Sequence, residues 1–125
     1  MKKLKLIKML ALALMLLTLF ACVSNPTSHN EETGTQYGID DMCYEVKNGV
    51  RLIIAYEDSL DSFVGTVENV SDAIIQDVRV EVHLNTGTEL GPTPYVDLAP
   101  NQVEDVVLEV NGELFVTWSV HAEVN

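Results

Sequence analysis

Residues 77–85, DVRVEVHLN, alternate without interruption: Val78, Val80, Val82 and Leu84 fall on one side, Arg79, Glu81 and His83 on the other. Successive side chains of an extended chain point to opposite faces, so this pattern predicts an antiparallel strand with one buried and one wet face. Two further runs, VRLIIAY (50–56) and SFVGTVEN (62–69), are rich in β-branched and aromatic residues and flank the polar turn EDSLD. They predict another pair of strands. The segment ELGPTPYVDLAPN (89–101) carries three prolines. Proline has no N–H to give to a sheet ladder, so this stretch is expected as an edge strand or an extended crossing that carries the chain between sheets.

The runs VEDVVLEV (103–110) and ELFVTWSVHAEV (113–124) flank Asn111-Gly112, a dipeptide favoured in tight hairpin turns. A two-residue loop would set Val106, Leu108 and Val110 on one face with Glu113, Phe115 and Thr117. A three-residue loop of Val110, Asn111 and Gly112 instead pairs Leu108 with Leu114 and Val106 with Val116, which joins the two apolar stripes and is the form expected. Trp118 and Val120 then extend the core. With about six strands over residues 42–125 and no helical period in them, the expected fold is all-β, a small antiparallel immunoglobulin-like sandwich.

Ahead of this domain the pattern changes twice. MKKLKLIK is basic, and residues 9–21 form an apolar run ending in alanine, so residues 1–21 have the arrangement of a secretory signal peptide and are short for a membrane-spanning helix. Residues 22–41 are rich in Ser, Asn, Thr, Gly and acids and read as a flexible tether, with a reach of about 25 Å.

Cys22 stands where the apolar run meets the polar one. Two fates are open to it. As the first residue after cleavage its thiol can carry acyl chains, whose buried CH₂ groups contribute about 0.8 kcal/mol each and anchor firmly only when there are several. Otherwise it can pair with Cys43, the other cysteine, closing a loop of about 20 residues that contributes about 3 kcal/mol through chain entropy. The position favours lipidation, and Cys43 is then expected as a small buried thiol.

Leu19, Phe20, Ala21 and Cys22 resemble the lipobox of bacterial lipoproteins, in which cleavage falls just before an invariant cysteine that becomes lipidated; Phe20 departs from the small residue usual at its position. That resemblance implies an extracytoplasmic, membrane-anchored protein of the cell envelope. Val67, Asn69, Ser71, Asp72, Leu98 and Pro100 follow a second plan, a strand ending V-x-N, a Ser-Asp turn and an L-x-P return, and so resemble the small FxLYD-type sandwich domains of bacteria. Val82-His83-Leu84-Asn85 stands where the FxLYD signature itself would fall, and what this resemblance implies is a fold.

Charge and candidate chemistry narrow the function. All nineteen acidic residues follow residue 21, where only three of the seven basic ones lie. Such a chain repels phosphate backbones, so no nucleic-acid partner is expected, nor direct binding to anionic lipid headgroups. His83 and His121 fall on outward faces with Glu81 and Glu123 two residues away; if their strands are neighbours, two imidazoles and two carboxylates form a candidate divalent-metal site. Glu57, Asp58 and Asp61 share a turn, but the spacing of an EF-hand is absent and a solvated turn is expected. There is no G-x-S-x-G elbow, CxxC or glycine-rich phosphate loop, so neither an enzyme nor a cofactor is expected. Tyr95, between Pro92, Pro94 and the following strand, is a candidate partner contact on a rigid loop, unless it folds back over the end of the sandwich. The function expected is a structural or protein-binding role at the cell envelope, toward an envelope protein or a cell-wall component; the alternative is ion binding or metal handling through the His/Glu faces or the acidic turns.

Overall fold

A computed structural model describes residues 34–125. The signal-peptide, Cys22 lipidation and most of the tether expectations lie outside these residues. Six long strands carry the fold: β2 (Met42–Lys47), β3 (Val50–Glu57), β4 (Ser62–Asn69), β5 (Ile75–Leu84), β8 (Val103–Glu109) and β9 (Thr117–Glu123). Three short ones join them: β1 (Tyr37–Gly38), β6 (Glu89–Leu90) and β7 (Val96–Leu98). All pairings are antiparallel. One sheet runs β2-β3-β4-β8; the other runs β1-β9-β5-β6, with β7 also on β5. The all-β sandwich is therefore the architecture, and its two-sheet arrangement is compatible with an immunoglobulin-like domain.

The alternation of β5 holds as expected: Val78, Val80, Val82 and Leu84 are buried, facing Leu52, Ile54, Phe63, Val67, Val106 and Leu108 of the opposite sheet across one core. Aromatic rings fill one end of it. Trp118 lies 4.7 Å from Tyr37 and 4.8 Å from Phe63, centroid to centroid, and its indole N–H donates to the Gly38 carbonyl at 2.8 Å. Offset and tilted contacts of this kind add about 0.5–1.5 kcal/mol per pair beyond the area they bury. Because Tyr37–Gly38 pairs with Trp118 and Thr117, the folded part begins before residue 42, inside the segment expected as tether.

The Pro-rich segment behaves as an edge. β6 and β7 both pair with β5, and between them Thr93 receives and returns bonds with Val80: its N–H donates to the Val80 carbonyl and its Oγ1 accepts from the Val80 N–H, both at 2.9 Å. The crossing between sheets comes only afterwards, at residues 99–102. At that corner Asn69 is fully buried; its amide donates to the carbonyls of Ala73 and Leu98 and accepts from the Ser71 N–H and hydroxyl at 2.7–2.9 Å. A buried amide is tolerated because each of its polar atoms is satisfied.

The expected hairpin at Asn111-Gly112 does not form. β8 pairs with β4, Phe63 opposite Leu108, and β9 pairs with β5, Val82 opposite Val120, so the dipeptide links the two sheets. Leu114 and Val116, expected in the core, are 90% and 70% exposed, and Phe115 is buried in their place. Among the described residues an Asn-Gly hairpin does form at Asn48-Gly49, where Lys47 pairs with Val50 and both turn residues have positive φ (52° and 79°), the conformation of a type I′ turn. Asn111 and Gly112 adopt nearly the same φ values, 59° and 76°. Local turn chemistry is thus alike at both sites. The chain takes a different course beyond the second turn because Phe115 and Trp118 reach the aromatic end of the core only if β9 joins the other sheet.

Candidate functional site

The sandwich has two outer faces. On the five-stranded sheet, Val82 and Val120 point inward, so the residues flanking them point out. Glu81 lies opposite His121, Arg79 opposite Glu123, and His83 opposite Ser119. The condition on which the metal-site expectation depended, that the two histidine strands be neighbours, is met.

The imidazoles of His83 and His121 stack at 5.2 Å with 13° between their planes. Nε2 of His121 lies 3.7 Å from Glu81 Oε2 and 3.2 Å from Glu123 Oε1. The second Glu123 oxygen pairs with the Arg79 guanidinium, which holds the Glu123 carboxyl below its ordinary value, with a smaller contribution from His121. On the far side, Nδ1 of His83 is 3.7 Å from Glu89 Oε1 on β6. Glu81, His83 and His121 are each only partly exposed, and one donor atom from each lies within 4.8 Å of the others.

Arg79 extends this row toward the Pro-rich edge, its guanidinium 4.8 Å above the ring of Tyr95. Tyr95 does not fold over the end of the sandwich; it is 57% exposed, and with Pro94 it lines a groove of about 290 Å³ between β5, the Pro-rich edge and β8. Pro92 follows a cis Gly91–Pro92 bond and is exposed, outside that groove.

The four-stranded sheet presents a different outer face. Met42, Tyr44 and Val46 of β2 lie opposite Ala55, Ile53 and Arg51 of β3; these continue across to Val64, Thr66 and Glu68 of β4, and to Val107, Asp105 and Val103 of β8. Met42, Tyr44, Val46, Val103 and Val107 are all at least half exposed, and Ile53 and Val64 partly so. One ion pair, Arg51–Glu68, crosses this surface beside Tyr44. None of these residues belongs to a motif that the sequence singles out for chemistry. Their signal lies in VRLIIAY, where apolar side chains continue on both faces, as they do in a strand covered on both sides.

Two features bear on the remaining candidates. Both carboxylate oxygens of Asp61 serve the fold, accepting from the Tyr56 hydroxyl at 3.0 Å and the Gly112 N–H at 2.5 Å. Cys43 is buried on the inner side of β2, and burial raises its thiol pKa. Its neighbour Tyr37 is pushed up to about 12, first by the hydrogen bond with Cys43 and then by desolvation. A thiol so placed is a packing group and a poor nucleophile.

No family model matches the chain, and neither the curated proteins nor the solved structures contain a match to it.

Proposed function

We propose that the chain is a secreted, lipid-anchored β-sandwich module of the cell envelope that binds a protein partner through the outer face of its four-stranded sheet. The observation that carries the binding role is the apolar surface of Met42, Tyr44, Val46, Ile53, Val64 and Val107 on an otherwise strongly acidic chain. Contiguous apolar patches of this kind mark interaction surfaces, because water disfavours them and only a partner covers them. Tyrosine and methionine are enriched at the centres of such interfaces. The acidic surroundings favour a partner whose contact surface is apolar at its centre and basic at its rim.

The anchor rests on the sequence: a basic and then apolar N-terminal segment, followed by Leu19-Phe20-Ala21-Cys22 with its resemblance to bacterial lipoproteins. The FxLYD-like plan of Val67, Asn69, Ser71, Asp72, Leu98 and Pro100 agrees with a small surface module of this sort. No catalytic step is part of this role.

The test is made in the native membrane fraction. The mass of the mature N-terminal peptide should show a lipid adduct on Cys22 that is lost in Cys22→Ser, while an unmodified Cys22 removes the anchor. A photo-crosslinking side chain at position 44 should give one discrete heterologous adduct that Val107→Lys abolishes and Leu114→Lys leaves intact. An adduct insensitive to Val107→Lys, or one made only between copies of the chain, would sink the proposed interface.

A further inference from the structure

We propose that Glu81, His83 and His121 form a site for one divalent transition-metal ion on the outer face of the five-stranded sheet. This stands apart from the proposed partner surface, which lies on the opposite side of the sandwich.

Two imidazole nitrogens and one carboxylate oxygen are the donor set of borderline ions such as Zn²⁺ and Cu²⁺, and unlike that of Ca²⁺ or Mg²⁺, which take oxygen alone. The register places them together: Glu81 is directly across from His121, and His83 is the diagonal neighbour on the same face. Around an ion with bonds of about 2.0–2.1 Å, tetrahedral donors lie about 3.3 Å apart. Here the donors are already within 4.8 Å, and Glu81 Oε2 and His121 Nε2 are 3.7 Å apart. The remaining closure needs only side-chain rotation on two rigid, paired strands.

The surroundings favour a dication. Glu123 Oε1, 3.2 Å from His121 Nε2, adds negative charge at the right distance, and Arg79 fixes that carboxylate by holding its other oxygen. Glu89 stands beside His83 on its other flank. Three carboxylates against one guanidinium leave a local excess of carboxylate charge beside the two imidazoles. Three protein donors leave further coordination positions to water, the arrangement of an open site.

The experiment is calorimetric titration of the full chain in detergent with Zn²⁺, together with thermal melting in Zn²⁺ and in Ca²⁺. An ion bound by the folded state must raise the melting temperature. Binding of one Zn²⁺ per chain is expected, with a rise in melting temperature that Ca²⁺ does not produce. His83→Gln and His121→Gln should each lose at least about tenfold in affinity, the loss typical even of groups that merely support a ligand. The third histidine, His29, falls in the segment expected as tether, and His29→Gln should bind as the unaltered chain does. Absence of a Zn²⁺-induced shift overturns the site, as does full affinity in the His83→Gln/His121→Gln double variant. Where a variant does not fold, the ¹⁵N imidazole resonances of the unaltered chain decide: both His83 and His121 must shift on adding Zn²⁺, and a shift confined to His29 overturns the proposal.

Discussion

The two outer faces of this sandwich are built on the same strand geometry and share one core, yet they meet water in opposite ways. Outside β5 and β9, the inward apolar positions Val78, Val80, Val82, Leu84 and Val120 each have Arg79, Glu81, His83 or His121 beside them, and these pair or stack with one another and with Glu123. Outside β2, β3, β4 and β8, the row is Met42, Tyr44, Val46, Ile53, Val64 and Val107, interrupted chiefly by the Arg51–Glu68 pair. The contrast marks where selection for folding stops. Core packing requires only the inner alternation, so an outer face is free to be polar, and one that stays apolar calls for another explanation.

The largest perturbation removes what the faces share. Trp118→Ala should destabilise by about 3–5 kcal/mol, since it empties the stack between Tyr37 and Phe63, and both faces should be lost in a single urea transition. Cys43 reports the same event: its alkylation should be slow in the native chain and become fast in this variant. Next comes Asn69→Ala, which strips hydrogen bonds from the Leu98 and Ala73 carbonyls and the Ser71 N–H. A cost of about 1–3 kcal/mol in denaturant unfolding is expected from the buried groups it leaves unpaired.

The remaining two predictions separate the faces. The Glu123 carboxyl is held below its ordinary value of 4.5 by Arg79 and, more weakly, His121. A group depressed in the folded state stabilises above its unfolded pKa and loses that contribution as pH falls through the folded value. Acid titration of stability should therefore be shallower below about pH 4.5 in Glu123→Gln than in the unaltered chain, by a small margin because the pair is partly exposed. Tyr44→Lys or Val107→Lys should leave that titration and the melting temperature nearly unchanged, within about 0.5 kcal/mol, while lowering the binding of a hydrophobic dye. A large loss of stability from either lysine would mean that this face packs within the chain.

Much of this was legible in the residues. The strict alternation of residues 78–84 placed both the core side chains and the outward His83 and Glu81, and the prolines of 89–101 marked an edge. His121 and Glu123 also lie outward, as their alternation indicates. What could not be read was that β9 lies beside β5, because pairing joins residues about forty positions apart and leaves no local trace. The apolar outer face escaped for a related reason. Met42, Tyr44 and Val46 become a patch only when Ile53, Val64 and Val107 are laid beside them, and one strand's alternation does not reveal its neighbours.

The two Asn-Gly dipeptides mark the boundary between local and long-range information. Both turn with positive φ in the structure; the residues alone specify that residues 50–84 and 103–123 supply strands and which side of β5 is buried, since these depend on sterics and a two-residue period. That Asn48-Gly49 closes a hairpin while Asn111-Gly112 carries the chain across to the other sheet is fixed only by packing between distant segments. The physical reason is the core: Phe115 and Trp118 complete an aromatic cluster with Tyr37, Tyr56 and Phe63 in that arrangement, and the burial gained there outweighs the local pairing that would have brought Leu114 and Val116 inside.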